Sequence, residues 1–201
     1  MTDAITAGIG VLKRSDGSPA LCLVTGATGY IGGRLIPELL SMGYRVRVLA
    51  RNAARIKSYP WADQVEIAEG DASSPDVAAK ALAGVDVAYY LLHALMAKDD
   101  FESKETQLAT VFATAAKDAG VKRMVYLGGI AAPGGELSPH LQSRADTGEI
   151  LRASGIPTIE LRAAVVIGSG SASFEMLRYL TERLPIMTVP KWVQVRIQPI
   201  A

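Results

Sequence analysis

A single cysteine, Cys22, stands in 201 residues. No disulfide can close within the chain, and this cysteine usage points to an intracellular, cytoplasmic setting. Cys22 lies in an apolar run, where a buried, inert thiol is the expectation. An excess charge of either sign is also missing, with 21 Lys and Arg against 20 Asp and Glu. That balance supplies no electrostatic case for nucleic acid or for an anionic membrane surface. Apolar runs of about 18 residues, the length of a membrane-spanning helix, are absent as well. The longest, Val87 to Ala97, is interrupted by His93 and suits a buried strand with its exit loop. Residues 1–20 have neither the basic start nor the apolar core of a secretory signal, and they read as a flexible lead-in. Internal repeats, low-complexity tracts, linkers and metal-ligand spacings are likewise not found. What remains is a chain 49% hydrophobic, enough to bury one full core over residues 21–201.

That core is organised around Leu21-Cys-Leu-Val-Thr-Gly-Ala-Thr-Gly-Tyr-Ile-Gly-Gly33. A strand-length apolar run ends at Thr25. Gly26, Gly29 and Gly32 follow at three-residue intervals, and the apolar spacing from Arg34 to Leu40 is helical. Strand, glycine turn and helix together form the setting in which backbone N–H groups approach a pyrophosphate. Glycines also mark ordinary turns, so the triplet needs support from the rest of the chain.

The support comes from alternation. Met42-Gly43 stops the first helix, and Tyr44 to Ala50 reads as a second strand. Asn52 to Tyr59 reads as a short helix and Gln64 to Ala68 as a third strand. A helix opened by Ser74-Pro75 closes at Gly84. The nearly continuous apolar run Val85 to Leu92 suits a parallel strand covered on both faces. A long helix over 100–119, a strand over 121–127, a loop at 131–136, a helix over 137–153 and a strand over 158–161 follow. A last helix over 173–184 and an extended stretch over 188–197 complete the pattern. The predicted fold is α/β, a Rossmann-type doubly wound parallel sheet in the order 3-2-1-4-5-6, with ligands at the carboxyl ends of its strands.

Five short stretches, Thr25-Gly-Ala-Thr-Gly-Tyr-Ile-Gly32, Val46-Arg-Val-Leu-Ala-Arg51, Gly70-Asp71, Tyr126-Leu-Gly-Gly129 and Leu161-Arg-Ala-Ala164, resemble those of an atypical or extended short-chain dehydrogenase/reductase, specifically its NmrA-like NAD(P)H-binding branch. Gly168 to Phe174 adds to the resemblance, which covers about residues 20–200. It implies a cofactor site at Gly26, Thr28, Gly29, Tyr30, Ile31, Gly32, Arg51, Asp71, Ala72, Leu91, Leu92 and Gly128. It also implies a further helix and a substrate-covering portion after Ala201. Arg51 stands 19 positions after Gly32, where NAD-selective sites place an acidic residue on the ribose 2′-hydroxyl. A guanidinium there favours a 2′-phosphate, so NADP(H) is expected over NAD(H). The alternative is a solvated loop arginine. Asp71 is read either as the acidic residue beside the adenine or as a turn cap.

The reductases of this superfamily carry Tyr-x-x-x-Lys on the helix after the fifth strand, and this chain does not. Tyr126 lies within the strand, and the helix presents His140-Leu-Gln-Ser-Arg144 instead. Histidine changes charge between pH 5 and 8 and suits a general acid, whereas arginine stays protonated and can only bind. His140 and Arg144 are therefore the candidate catalytic pair, with Ser138 and Ser143 nearby. An exposed, solvated helix face is the competing reading. His93 is read as a loop or wall residue rather than a catalyst, and Arg162 as lining the nicotinamide side or pairing with Glu160 or the C-terminal segment. The serines at 169, 171 and 173 are read as helix caps, with anion binding as the alternative. The function expected is an NADP(H)-dependent oxidoreductase acting on a small carbonyl or related group. A non-catalytic NADP(H)-binding sensor or assembly factor is the alternative, with nucleotide-sugar epimerisation or dehydration behind it. A homo-oligomer or a protein partner fits either of the first two.

Overall fold

In the computed structural model, residues 11–92, 101–130, 137–184 and 198–200 are described. β1 (Leu21–Thr25) is buried at all five positions, because it lies mid-sheet with side chains feeding both faces. Leu21 and Leu23 enter one apolar cluster with Tyr90, Phe112, Met124 and Tyr126. Cys22 and Val24 enter the other, with Ile36, Val46, Val48 and Trp61. This period-two division is the geometry of a strand sandwiched between helix layers. Burial pushes the Cys22 thiol up to about 12, with the nearby Asp86 charge adding to the effect. The thiol is inert.

β1 runs parallel to β2 (Arg45–Ala50) on one side and to β4 (Val87–Tyr90) on the other. β3 (Glu66–Glu69) flanks β2, β5 (Arg123–Gly129) flanks β4, and β6 (Thr158–Ala163) flanks β5. The resulting six-stranded order is 3-2-1-4-5-6, as predicted. The helices are α1 (Tyr30–Ser41), the one-turn α2 (Ala53–Ile56), α3 (Pro75–Leu82), α4 (Phe101–Asp118), α5 (Pro139–Ala153) and α6 (Ala172–Arg183). Among the described residues, no helix is long and apolar enough to cross a membrane.

Several boundaries differ from the pattern reading for visible reasons. The second helix stops at Ile56 rather than Tyr59, because Tyr59 turns to stack on Trp61 at 4.7 Å and to donate to the Thr28 carbonyl. A 3-10 turn at Ala62–Gln64 then delays the third strand to Glu66. Gly128 and Gly129 do not follow the fifth strand but belong to it, paired with Arg162 and Ala163. Arg47 sits on a central strand because its guanidinium donates to the Ala81 and Ala83 carbonyls at the carboxyl end of α3 and to Glu66. His93, the 131–136 loop and the 188–197 stretch lie outside the described residues.

At the amino ends of the strands, Asp86 is 5% exposed and ties three segments together. It accepts from the Leu21 N–H at 2.9 Å, Arg14 Nε at 2.6 Å and Lys122 Nζ at 2.9 Å. Residues 11–20 are thereby fastened to the sheet, with a Lys13–Pro19 bridge of their own.

Candidate functional site

The glycine turn leaves the carboxyl end of β1 and enters α1 without a gap. Gly26 has φ of +66°, and a Cβ there would stand 2.6 Å from the Leu91 carbonyl oxygen after β4. Only glycine meets both conditions. Gly32 is equally constrained, because its Cβ would fall 2.4 Å from the Gly26 oxygen. Gly29 is the N-cap of α1. It has no side-chain cap, and the first helical turn carries no acidic residue. The first N–H groups of a helix have no intrahelical partner, and the helix dipole favours an anion there. The turn therefore fits a pyrophosphate. Thr25, fully buried, fixes the turn against the neighbouring strand: its hydroxyl donates to the Tyr89 carbonyl and accepts from the Leu91 N–H, both at 2.9 Å. The pattern reading ended the strand at Thr25 and gave it no role. A hydroxyl placed between an apolar run and a glycine turn was the available signal.

On the β2 side, Arg51 is exposed, one residue beyond the strand. Asp71 serves as a turn cap, its Oδ1 accepting from the Ser73 N–H at 2.8 Å and the Ser73 hydroxyl at 2.7 Å. Those two bonds, followed by the Arg51 charge, hold its carboxyl below the usual range. Arg51 and Asp71 are thus electrostatic neighbours at the carboxyl ends of adjacent strands. Ala72 is buried in the core, so only its backbone can face a ligand. Glu69 accepts from the Ala53 N–H at 3.0 Å and occupies the start of α2.

On the β4–β5 side, Leu91 and Leu92 are half-buried and lean on the two core clusters. The helix expected to carry the catalytic pair leaves one member exposed and buries the other. His140 is exposed in the first turn of α5, whose N-cap Ser138 accepts from Leu141 N–H. Arg144 is 7% exposed, correcting the reading of a shared solvated face. Its guanidinium donates to the Leu127 carbonyl. Its own carbonyl accepts from the Tyr126 hydroxyl at 2.9 Å. Burial pushes the Tyr126 phenol above its ordinary range. Tyr126 is thus committed to the α5–β5 packing. Glu105 of α4, unnoticed in the sequence, is buried and accepts from the Ser143 hydroxyl. A buried carboxylate on an otherwise amphipathic helix is invisible to periodicity, since its partner comes from another helix.

Arg162 pairs with Glu160 at 2.9 Å, one of the alternatives read for it. Glu160 also receives Arg152 and fills the space a side chain at Gly128 or Gly148 would need, 3.0 and 3.1 Å from a Cβ at those positions. Ser171 stands at the N-cap of α6, but its hydroxyl does not cap. It donates to the Val166 carbonyl at 2.7 Å instead.

The comparisons with known proteins agree with this geometry. The pattern of the NAD(P)H-binding family matches residues 26–167, from the first glycine of the turn to beyond β6. A ceramide reductase of Caulobacter vibrioides is 29% identical over 170 residues, covering 83% of this chain and 52% of the relative. An NAD(P)H azoreductase of Xenophilus azovorans is 32% identical over 112 residues, covering 56% of this chain and 36% of the relative. Among solved structures, the triphenylmethane reductase of Citrobacter sp. complexed with NADP(H) superposes with a TM-score of 0.64 at 30% identity. It covers 80% of this chain and 54% of that one. The chain therefore spans about half the length of the ceramide reductase and of the triphenylmethane reductase.

Proposed function

The chain belongs to the NAD(P)H-binding family, and on that premise we propose that it is the cofactor domain of an NADP(H)-dependent reductase acting on a small carbonyl or related reducible group. The observation that carries this reading is the glycine turn, whose uncapped helix N-terminus and tightly packed glycines suit a pyrophosphate. When bound, the cofactor supplies a hydride. The residues of this chain bind it, orient it and handle the proton.

Gly26, Gly29 and Gly32 would let a pyrophosphate approach the turn, and the backbone N–H groups of Thr28, Tyr30 and Ile31 would hold it, since the Gly29 N–H donates to the Gly26 carbonyl. Arg51 receives the 2′-phosphate, and Asp71, Ala72, Leu91, Leu92 and Gly128 border the adenosine and nicotinamide halves. NADP(H) over NAD(H) follows from the exposed guanidinium at the end of β2, where an acidic side chain would favour the free hydroxyl. Binding titrations should show NADP+ tighter than NAD+. Arg51→Ala should weaken NADP+ by about 10- to 100-fold and leave NAD+ within about twofold, the loss expected of one charge-assisted contact. Equal affinities in the parent protein count against the selectivity.

We read His140 as the proton donor. Protonated His140 would give an N–H proton to the carbonyl oxygen of the substrate, and NADPH would supply the hydride that completes the alcohol. Arg144 holds the Leu127 carbonyl of β5 and so ties α5 to that strand. Turnover of a carbonyl and quinone panel with NADPH is the direct test. His140→Ala should lower it by about 100-fold or more, as for a lost general acid, with the NADPH dissociation constant unchanged. Turnover equal to that of the parent removes His140 from the mechanism. The second reading, a non-catalytic NADP(H)-responsive sensor or assembly factor, draws on the absent Tyr-x-x-x-Lys. It gains if the panel gives no turnover and a protein partner is retained only with NADP(H) present.

A further inference from the structure

One contact joins the phosphate turn to the far side of the sheet. Tyr30, the first residue of α1, lies beneath Arg34, whose guanidinium carbon is 3.8 Å from the ring centroid. Arg34 Nη2 then donates to the Ser169 carbonyl at 2.8 Å, across 135 positions of sequence. The tyrosine hydroxyl rests on Gly168: a Cβ at that position would lie 1.7 Å from Oη and 2.8 Å from Cζ, so any side chain there must displace the ring. β4 and β5 lie between β1 and β6 in the sheet, so this bridge spans two strands above their carboxyl ends.

The segment that Arg34 grips is itself braced. Ser171 is 5% exposed, with its hydroxyl on the Val166 carbonyl and its N–H on the Gly168 carbonyl at 2.9 Å. The Gly170 N–H donates to Glu175 of α6 at 2.9 Å. Arginine suits the bridging position because its planar face can lie on a phenol while its edge N–H groups donate to a carbonyl. A lysine ammonium, a point charge on a flexible stem, cannot hold both contacts in one plane.

We infer that Arg34 is a positioning residue: by stacking on Tyr30 and holding Ser169, it latches the 166–171 segment to the phosphate turn and couples cofactor binding to the order of that segment. The inference rests on the cofactor reading above and extends it from binding to the arrangement of the β6 side of the site. A ligand that orders the turn also orders whatever the turn holds, and a segment with a free equilibrium of its own pays for its ordering separately.

Hydrogen exchange on the full chain, with and without saturating NADP+, reads the latch directly. In cofactor-free protein, Arg34→Ala should speed exchange across 164–171 by about tenfold, the effect of lowering a local opening free energy. Gly168→Ala, which displaces Tyr30 from the other side, should do the same. With NADP+, the parent should gain protection at both 26–33 and 164–171. Arg34→Ala should keep it at 26–33 and lose most of it at 164–171, and Arg34→Lys should not restore it. Equal cofactor-free exchange at 164–171 in parent and both variants overturns the latch. Protection at 26–33 with no change at 164–171 in the parent overturns the coupling alone. No NADP+ protection at either stretch overturns the coupling together with the cofactor reading, and the cofactor-free comparison still decides the latch. A loss of NADP+ protection at 26–33 in folded Arg34→Ala makes Arg34 a direct ligand and overturns the positioning role.

Discussion

Gly26→Ala should destabilise the protein by about 3 kcal/mol and abolish measurable NADPH binding. The backbone at φ +66° costs an L-residue roughly 1–2 kcal/mol. The new methyl would also stand 2.6 Å from the Leu91 oxygen and 3.2 Å from its carbonyl carbon. The Leu91 backbone is anchored on its N–H side by the hydroxyl of Thr25, the buried last residue of β1, which restricts how far the carbonyl can step aside. Forcing them apart adds about 1–3 kcal/mol, as overpacking does elsewhere, and it tilts the first N–H groups of α1 away from the phosphate position. Gly33→Ala is the matched control. Its methyl would meet nothing closer than 3.6 Å, and alanine is the better helix former, so stability should hold or rise by up to about 1 kcal/mol. Urea melts and NADPH fluorescence titration read both outcomes. A Gly26→Ala protein that binds NADPH like the parent would remove the turn from the cofactor site.

Asp86→Ala should cost about 3 kcal/mol at pH 7, and most of that difference should vanish in acid. Burial opposes the Asp86 charge, but the Leu21 N–H, Arg14 and Lys122 outweigh it and hold the carboxyl at about 2, against 3.8 when free. A carboxyl lowered on folding contributes stability that is fully present above about pH 3.8 and lost as pH falls toward 2. The shift corresponds to about 2 kcal/mol, and the unpaired Leu21 N–H adds to the loss in the variant. Lys122 is largely exposed and can return to water, whereas Arg14 keeps less of that freedom. Urea unfolding at pH 7 and pH 2.5 tests this. A gap between parent and variant that stays constant across that range would mean that the carboxylate charge is not the source.

The two expectations differ in how visible their sources were beforehand. Gly26, Gly29 and Gly32 announce themselves, because a strand-length apolar run, a glycine triplet and a helical spacing leave few arrangements of the backbone. Strand order was equally accessible, since alternating strands and helices with right-handed crossovers permit few sheets. Asp86 passed without notice inside the run Val85 to Leu92, because the three groups that make it a hub come from Arg14, Leu21 and Lys122, far apart in the chain. Arg144 looked paired with His140 because i,i+4 spacing puts both on one side of an isolated helix. Docking α5 on β5 buried one and left the other exposed.

Residue order alone thus determined the parallel sheet, its strand sequence and the glycine turn after the first strand. Each of these follows from local periodicity and from backbone conformations open only to glycine. Tertiary structure decided which side chains are available for chemistry. Thr25 became a clamp, Glu160 filled the space beside Gly128, Arg144 went to a strand carbonyl and Arg34 reached Ser169 across the sheet. Availability depends on what partner arrives from elsewhere in the chain to desolvate or hold a polar group, and spacing along one element carries no record of that partner.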